Sequence, residues 1–398
     1  MYSRFLKCHL ISISALVLSF FSCMNQQTTY PTIEIDSPTG TIEIKISDLL
    51  SDITIVPLET RDELLFSAGM SFIVTNNYVL VITDKALIQF NRQGKFIRTL
   101  ATKGNGPNEY NTLTFPLIDE EREILYYTQY EDNIINCINL RNGEFKEPLY
   151  LNVSCFSINS IDSEGNIYGF PKEKNSHLLA FKYNPANKNI IYYKGFHSSV
   201  SENTHKVMFK EDNQIHFLSF SYSDTLFKVE GKKIIPKYIV KMHNLEKGYK
   251  GGVNLWITIP STQGTIFHKM ETQVQRDENS MYISSFDRGY LFLDKSGALK
   301  SIRSITIDPL ALIIDIDNYI KKINNRPLSE EIKINPIPII LGSGLWGYYA
   351  IEGCHMMSLI EQALDNKLLS SDQRIVLEGI TGKIKEDSNP VLIIGKVK

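Results

Sequence analysis

A glycine-rich stretch, KGNGPNEY at residues 103–110, has a composition that could form a phosphate-binding loop. Such loops bring several backbone N–H groups to one anion, and their glycines allow a close approach. The stretch matches neither GxGxxG nor GxxxxGK(S/T), and no strand–loop–helix pattern surrounds it. We therefore predict a structural turn, in which Glu109 accepts backbone N–H groups and Tyr110 packs on a neighbouring sheet. The predicted motif consists of Lys103, Gly104, Gly106, Pro107, Glu109 and Tyr110, whose glycines permit a positive φ and whose proline fixes its own φ.

Residues that bind metal ions are present but scattered. His197 and His205 share one loop with Glu202, yet the sequence has no HExxH or CxxC spacing. The acidic piece IDSEGN at residues 161–166 lacks the ligand spacing of an EF-hand, so it is predicted to be a turn before a strand. We predict no cofactor and no metal-binding residue. A divalent ion in a central channel remains an open alternative.

Catalytic nucleophiles have no recognisable signature in this chain. There is no GxSxG motif, and Cys137, Cys155 and Cys354 match no catalytic cysteine pattern. Outside the N-terminal segment these three cysteines allow at most one disulfide. No catalytic residue is predicted.

Four side chains are candidates for contacting a ligand. Asp84, Arg288 and Glu352 follow predicted strands and are expected near the mouth of a central channel, although salt-bridged loops are the alternative. Trp256, in KGGVNLWITIP, could stack on a sugar ring. Trp346 lies in a predicted strand and is expected in the core.

The elements that must position these residues are short strands separated by turns. Runs such as NNYVLVITDKALIQFNRQGKFIRTL (residues 76–100) alternate between apolar and polar residues and contain hairpin turns. Six such units are recognisable, separated by 43 to 66 residues. Their first strands are aligned at Tyr78, Leu125, Tyr168, His216, Tyr282 and Trp346.

A repeat of this length with three or four strands predicts a six-bladed β-propeller, an all-β fold. Ring closure requires a strand from the other end of the chain, and residues 40–60 could complete the last blade. The C-terminal residues 389–398 also predict a strand. Insertions are expected at 241–278 and 306–340. Short helical insertions are predicted near the C-terminus, at 316–326 and 355–369.

The N-terminus resembles a bacterial lipoprotein signal. Arg4 and Lys7 precede an apolar run that ends at FFSC, with Cys23 as the expected lipidation site. We predict a signal peptide over 1–22, a lipidated tether over 23–32 and the propeller over 33–398. An ordinary secretory signal is the alternative.

Several motifs resemble those of one family. KGNGPNEY is similar to the G-x-G-P-x-E-Y/F signature of six-bladed β-propeller lipoproteins of the Bacteroidetes. Further similar segments are ISDLLSDITIVPLET, which ends at Thr60, SDTLFKV at 223–229 and SNPVLIIGKVK at 388–398. The resemblance implies an NHL-like propeller, and it implies no catalytic residues because the family has no settled activity. Asn108 stands where that signature commonly has glycine.

The net charge of the chain bears on which partners it can bind. A net charge of −2 argues against binding of nucleic acid, which requires a basic excess on one face. The leading expectation is a cell-envelope recognition or scaffold module that binds a protein, peptide or glycan. It would be held at the outer membrane by its lipid, facing the periplasm. The alternatives are a metal-dependent lyase or hydrolase of NHL-propeller type and an accessory subunit of an outer-membrane nutrient-uptake assembly.

Overall fold

A computed structural model describes most of the chain after residue 29. The described ranges are 30–106, 108–129, 133–152, 154–172, 178–194, 206–211, 214–219, 225–241, 252–260, 263–276, 281–324, 338–340, 345–365 and 369–398. Only the backbone path is described for residues 156, 206, 207, 209, 211, 218, 219, 252–260, 270–276, 281–287, 322 and 323. Residues Thr32–Lys398 form one compact unit.

Three strands at the N-terminus lie on the outer edges of three different sheets. They are β1 (Thr32–Glu34), β2 (Thr41–Lys45) and β3 (Leu50–Pro57), with the short helix α1 (Ile46–Leu49) before β3. In all three, isoleucine, threonine and valine alternate with polar residues, a composition that favours half-buried strands.

The remaining strands form six sheets in chain order, which we number as blades 1 to 6. Blade 1 contains β4 (Ser71–Val74), β5 (Tyr78–Ile82), β6 (Ala86–Asn91), β7 (Phe96–Lys103) and β8 (Glu109–Tyr110). Blade 2 contains β9 (Thr114–Asp119), β10 (Ile124–Thr128), β11 (Ile134–Asn139) and β12 (Phe145–Tyr150). Blade 3 contains β13 (Cys155–Ile161), β14 (Ile167–Pro171), β15 (Leu178–Asn184) and β16 (Asn189–Lys194).

The second half of the ring is built in the same way. Blade 4 contains β17 (Lys206–Glu211), β18 (Gln214–Ser219), β19 (Thr225–Glu230) and β20 (Lys233–Lys241). Blade 5 contains β21 (Gly252–Pro260), β22 (Gly264–Arg276), β23 (Met281–Asp294), β24 (Leu299–Ile307) and β25 (Leu312–Asp315). Blade 6 contains β26 (Ile339–Ile340), β27 (Trp346–Ile351) and β28 (Val391–Val397). The six sheets form a ring, so the predicted six-bladed β-propeller is confirmed.

Blade 6 is completed by a strand from the other end of the chain. Its order is β26-β27-β28-β3, and β3 pairs antiparallel with β28 from Val391↔Pro57 to Val397↔Leu50. The predicted closure by residues 40–60 is therefore confirmed for β3. In contrast, β2 adds to blade 5 and β1 adds to blade 4.

The core lies between the blades. Buried apolar side chains of the described residues form clusters that each join two consecutive blades. In β27, Tyr348 packs toward blade 1 and its neighbour Tyr349 packs toward blade 5, because successive strand residues point to opposite faces. Each fully buried side chain of this size contributes about 1.5–3 kcal/mol. No blade can bury both faces alone, so the ring supplies the core.

The strand alignment drawn from the sequence is shifted. The residues aligned as first strands, such as Tyr78 and Leu125, lie on the second strand of each blade, since a short strand precedes each of them. Tyr282 lies on the third strand of blade 5. The predicted insertion at 241–278 is wrong, because β21 and β22 of blade 5 occupy residues 252–276.

Within the described residues, three longer helices lie near the C-terminus: α2 (Ile316–Asn324), α3 (Gly353–Leu364) and α4 (Ser371–Thr381). Short 3₁₀ turns occupy Asp62–Leu64 and Asp308–Leu310. The predicted helices correspond to α2 and α3. Met356 and Ile360 of α3 are buried in the cluster between blades 5 and 6, so this helix packs on the ring. Within the described ranges, no helix is long and apolar enough to cross a membrane.

Candidate functional site

A groove of about 980 Å³ runs along the outer edge of blade 6. We call it the rim groove. One wall is β3 and the residues that follow it, the second is the β6–β7 turn of blade 1, and the third is the segment after α4. Its lining residues are Asp52, Thr54–Thr60, Asp62, Arg92–Lys95, Trp346, Ile380, Lys383, Lys385, Asp387 and Ser388.

The first wall offers backbone hydrogen-bonding groups. One edge of β3 is paired with β28, and no strand of the described ranges pairs with the other edge. Asp52 and Thr54 are exposed in the groove, whereas Val56 and Leu58 are buried beneath it. Each non-proline residue carries an N–H and a C=O group that seek partners, so an unpaired strand edge can accept another extended chain.

Trp346 and Arg92 form the floor. The guanidinium carbon of Arg92 lies 4.0 Å from the centroid of the Trp346 ring, and the indole Nε1 donates a hydrogen bond to Asn76 Oδ1 at 3.1 Å. Burial lowers the pKa of Arg92, and the nearby Glu120 carboxylate opposes that effect. Arg92 Nη1 is buried and has no hydrogen-bond partner among the described residues. This pair therefore presents a partly desolvated cation held on an aromatic face.

The second wall is fixed to β3 by a tight contact. The N–H of Glu59 donates to the carbonyl of Gly94 at 2.7 Å, and a Cβ on Gly94 would lie 2.1 Å from the Pro57 carbonyl oxygen. Gly94 has φ +80, which favours glycine. The Glu59 carboxylate accepts the Phe96 N–H at 2.9 Å and pairs with Arg61 at 2.8 Å. These two contacts lower the pKa of Glu59.

The third wall carries exposed charges. Lys383, Lys385 and Asp387 are exposed, and Ile380 is buried behind them. The groove thus has an apolar base and charged rims. None of its lining residues is a histidine or a cysteine, and the described part of the chain contains no group of three His, Cys, Asp or Glu side chains able to hold a metal ion. The chemistry that the groove offers is backbone hydrogen bonding, stacking and charge pairing.

The KGNGPNEY stretch folds back on β7. Strand β8 pairs parallel with β7, the Gly104 N–H donates to the Tyr110 carbonyl at 3.0 Å, and the Gly106 N–H donates to Glu109 Oε2 at 2.6 Å. Lys103 is the last residue of β7, and its N–H donates to the Lys85 carbonyl at 2.8 Å. The turn joins blades 1 and 2, since β9 of blade 2 begins at Thr114.

The two glycines of this stretch do not adopt the left-handed backbone conformation, and the atoms nearest to them belong to the Glu109 carboxylate. Neither Gly104 nor Gly106 has a positive φ, whereas Asn108 has φ +62. A Cβ on Gly104 would lie 2.0 Å from Glu109 Oε2, and one on Gly106 would lie 2.9 Å from the same atom. The expected role of positive φ is thus corrected. Pro107 lies outside the described residues.

Tyr110 lies between blades 1 and 2. It is 3% exposed and packs in the cluster that contains Ile118 and Leu125. Burial, and then the nearby Asp84 carboxylate, raise the pKa of Tyr110. Asp84 itself is exposed in the turn between β5 and β6.

The candidate ligand residues lie on different blades. Asp84 is in blade 1, Arg288 is exposed on β23 of blade 5, and Glu352 precedes α3 in blade 6. Glu352 Oε1 accepts the Ala68 N–H at 2.6 Å, so its carboxylate links two segments of the chain. The side chain of Trp256 and all of Cys23 lie outside the described residues. The roles given to these residues stay predictions.

The acidic piece IDSEGN forms a turn that occurs twice more in the part of the chain that the structure describes. Asp162 Oδ1 accepts the N–H groups of Glu164 and Asn166, as Asn91 and Asp294 do in the turns Asn91–Lys95 and Asp294–Ala298. Asp162 Oδ2 accepts the Tyr168 hydroxyl at 2.9 Å. Burial would raise the pKa of Asp162, but these hydrogen bonds and Lys182 lower it. The carboxylate oxygens are occupied by donors, as expected for a structural turn.

Comparison with known proteins places the chain in a family. The family model described as Domain of unknown function (DUF4934) matches residues 30–396. The chain belongs to the DUF4934 family. No curated protein matches it significantly.

Solved structures share the fold of this DUF4934 chain. A Bacteroides fragilis protein, provisionally described as exported, has 13% identity and a TM-score of 0.53, covering 93% of this chain and 100% of its own. A DUF4221 family member from Bacteroides vulgatus has 10% identity and a TM-score of 0.46, covering 88% and 98%. Virginiamycin B lyase from Staphylococcus aureus has 12% identity and a TM-score of 0.41, covering 86% and 99%.

Proposed function

We propose that this DUF4934 propeller is a lipid-anchored recognition module of the cell envelope that binds a protein partner in the rim groove. The observation that carries the proposal is the outer edge of β3, which no strand of the described residues covers, beside the Arg92–Trp346 stack. Strand edges and aromatic–cation surfaces are typical of peptide recognition. Ligand contacts were expected near the mouth of the central channel, and in this proposal they lie in the rim groove instead.

The position of the groove also suits recognition. Its first wall closes the ring, so β3 is held by β28 on one side and by the Glu59–Gly94 hydrogen bond near its end. A rigid wall keeps the entropic cost of binding low. Lipid at Cys23, followed by a short polar tether, would hold the propeller at the periplasmic face of the outer membrane. The Bacteroidetes lipoprotein resemblance of KGNGPNEY supports this location.

Site-specific photo-crosslinking in the native host tests the proposal. A photoreactive residue replaces Gln93, which is exposed in the groove, in the full membrane-anchored chain. The matched control replaces Glu147, which is exposed on β12 of blade 2. We expect a discrete protein adduct from position 93, absent from position 147 and lost when Arg92 is changed to Ala. The absence of an adduct at position 93, or identical adducts at both positions, would overturn the proposal.

A further inference from the structure

Among the described residues, three blades of this propeller carry an additional outer strand. In blade 1, the two-residue strand β8 pairs parallel with β7. In blade 4, β1 pairs parallel with β20, from Thr32↔Ile239 to Glu34↔Lys241. In blade 5, β2 pairs parallel with the fourth strand, β24, from Thr41↔Ser301 to Lys45↔Thr306. The outer edge of a blade in this fold therefore accepts a fifth, parallel strand.

The added strands of blades 4 and 5 share the sequence Thr-Ile-Glu-Ile at 32–35 and 41–44, although β1 itself ends at Glu34. Ile33 and Ile35 are 3% and 1% exposed, so every second residue packs against the blade. The alternate acidic residues meet lysines, because Glu34 pairs with Lys241 at 3.3 Å and Asp36 pairs with Lys269 at 2.8 Å. In β1 and the two residues after it, the pattern is thus isoleucine inward and carboxylate toward lysine, and β2 shares the buried isoleucine at Ile44.

In blade 6, no strand of the described residues occupies the position beside the fourth strand. Its fourth strand is β3, and the rim groove occupies the position next to it. The regular edge is delimited at one end by Asp52, with φ +51, and at the other by Pro57, against which Gly94 packs. It is comparable in length with β2. Lys95, Lys383 and Lys385 line the groove and are exposed, so they can pair with carboxylates of an added strand, although Asp52, Asp62 and Asp387 are exposed in the same groove.

We propose that the rim groove binds an extended segment of the partner protein as a fifth strand, parallel to β3, with the alternating pattern Thr-Ile-acid-Ile. This inference rests on the proposed function, because it names how that partner is held. Backbone hydrogen bonds to β3 supply affinity, and the isoleucines cover Val56 and Leu58 on the blade 1 side of blade 6. The acidic side chains then point to the other side, where Lys383 and Lys385 follow the buried Ile380. Parallel addition of a strand at a blade edge is the mode that β1, β2 and β8 display within the chain itself.

A synthetic peptide of residues 31–40, PTIEIDSPTG, is the probe, added to the full chain in detergent. Binding is followed by fluorescence anisotropy. Two further peptides carry backbone N-methyl groups, one at both isoleucines and the other at the glutamate and the following aspartate. Only alternate N–H groups of an added strand point to its neighbour. We expect one N-methylated peptide to bind at least about tenfold more weakly and the other to bind as the parent does.

Hydrogen exchange locates the peptide. We expect slower exchange at amides of Asp52–Val56, without faster exchange in β1 or β2. Faster exchange in β1 or β2 would show that the peptide displaces a native strand, and it would overturn the assignment to blade 6. Lys383→Glu combined with Lys385→Glu is expected to weaken the peptide by about three- to tenfold, and Lys146→Glu on blade 2 is the matched control.

The outcomes separate this inference from the proposed function. Equal binding of both N-methylated peptides, or no binding of the parent peptide at millimolar concentration, would overturn the strand mode. A groove-specific adduct from position 93 would then still support partner recognition in the groove. Peptide binding without such an adduct would instead show that the groove can hold an added strand, and it would contradict the proposal that a native partner binds there.

Discussion

The contact between Gly94 and Pro57 holds the closing strand of blade 6 against blade 1. Its contribution to stability can be measured by comparison with the equivalent turn at Asp294–Ala298, which lacks such a contact. Gly94 and Gly297 each occupy the fourth position of a turn in which an Asn or Asp side chain accepts two backbone N–H groups. Their φ values are +80 and +86. A Cβ on Gly94 would meet the Pro57 carbonyl at 2.1 Å, whereas one on Gly297 would meet nothing within 4 Å.

The two glycines therefore make a matched pair of variants. Alanine in the left-handed region costs about 1–2 kcal/mol at either position. Gly94→Ala must also separate the turn from Pro57, which removes the Glu59–Gly94 hydrogen bond, worth about 1 kcal/mol, and adds about 1 kcal/mol of overpacking near Val56. We expect Gly94→Ala to destabilise the chain by about 2 kcal/mol more than Gly297→Ala does.

Thermal unfolding followed by circular dichroism measures this difference. For a unit spanning Thr32–Lys398, unfolding entropy scales to roughly 1.3 °C per kcal/mol. The melting temperature of Gly94→Ala should thus lie roughly 3 °C below that of Gly297→Ala. Equal melting temperatures would refute the reasoning that the Gly94–Pro57 contact secures ring closure.

Three further predictions concern single side chains. Tyr348→Phe removes the hydroxyl that accepts the buried Phe72 N–H at 3.2 Å. It should lower the free energy of unfolding, measured by chemical denaturation, by about 1–3 kcal/mol. Tyr110→Phe should lower it less, because the Tyr110 hydroxyl has no hydrogen-bond partner among the described residues. The folded-state pKa of Glu59 lies below its ordinary value of 4.5, so the ionised carboxylate stabilises the fold above that pH, and this stabilisation is lost as pH falls through the folded-state pKa. The melting temperature should therefore fall more steeply between pH 6 and pH 3 in the native chain than in Glu59→Gln. Parallel melting curves would contradict this. Cys23→Ala should move the protein from the membrane fraction to the soluble fraction, and retention in membranes would contradict the lipid anchor.

The ring was predictable because its signal is local. Alternating strands bounded by turns such as Asn91–Lys95 repeat along the chain, and this periodicity gave six blades and the closing role of β3. The alignment was shifted in blade 1 because its first strand, β4, is short and almost wholly buried and shows no clear alternation. Helix α4 was missed because its Ile375 and Val376 are 66% and 53% exposed, which obscures an amphipathic pattern.

The candidate site was much less predictable. Glu109 does accept a backbone N–H within its turn, a contact between residues three apart. The walls of the rim groove come from β3, the Asn91–Lys95 turn and the segment around Lys383, which only the closed ring brings together. The repeated Thr-Ile-Glu-Ile at 32–35 and 41–44 is visible in the sequence. Its pairing with blades 4 and 5, however, depends on contacts across most of the chain.

The central claim is that the outer edge of β3 is an open binding edge that a partner covers. Hydrogen exchange measured on the full chain, alone and after incubation with the solubilised envelope of the native host, tests it most directly. The internal control is β12 of blade 2 (Phe145–Tyr150), whose outer edge pairs with no strand of the described ranges. We predict that alternate amides of Asp52–Val56 exchange rapidly in the isolated chain and become protected with the envelope fraction, while β12 does not change. Equal protection of β3 and β12, or unchanged exchange in β3, would contradict the claim.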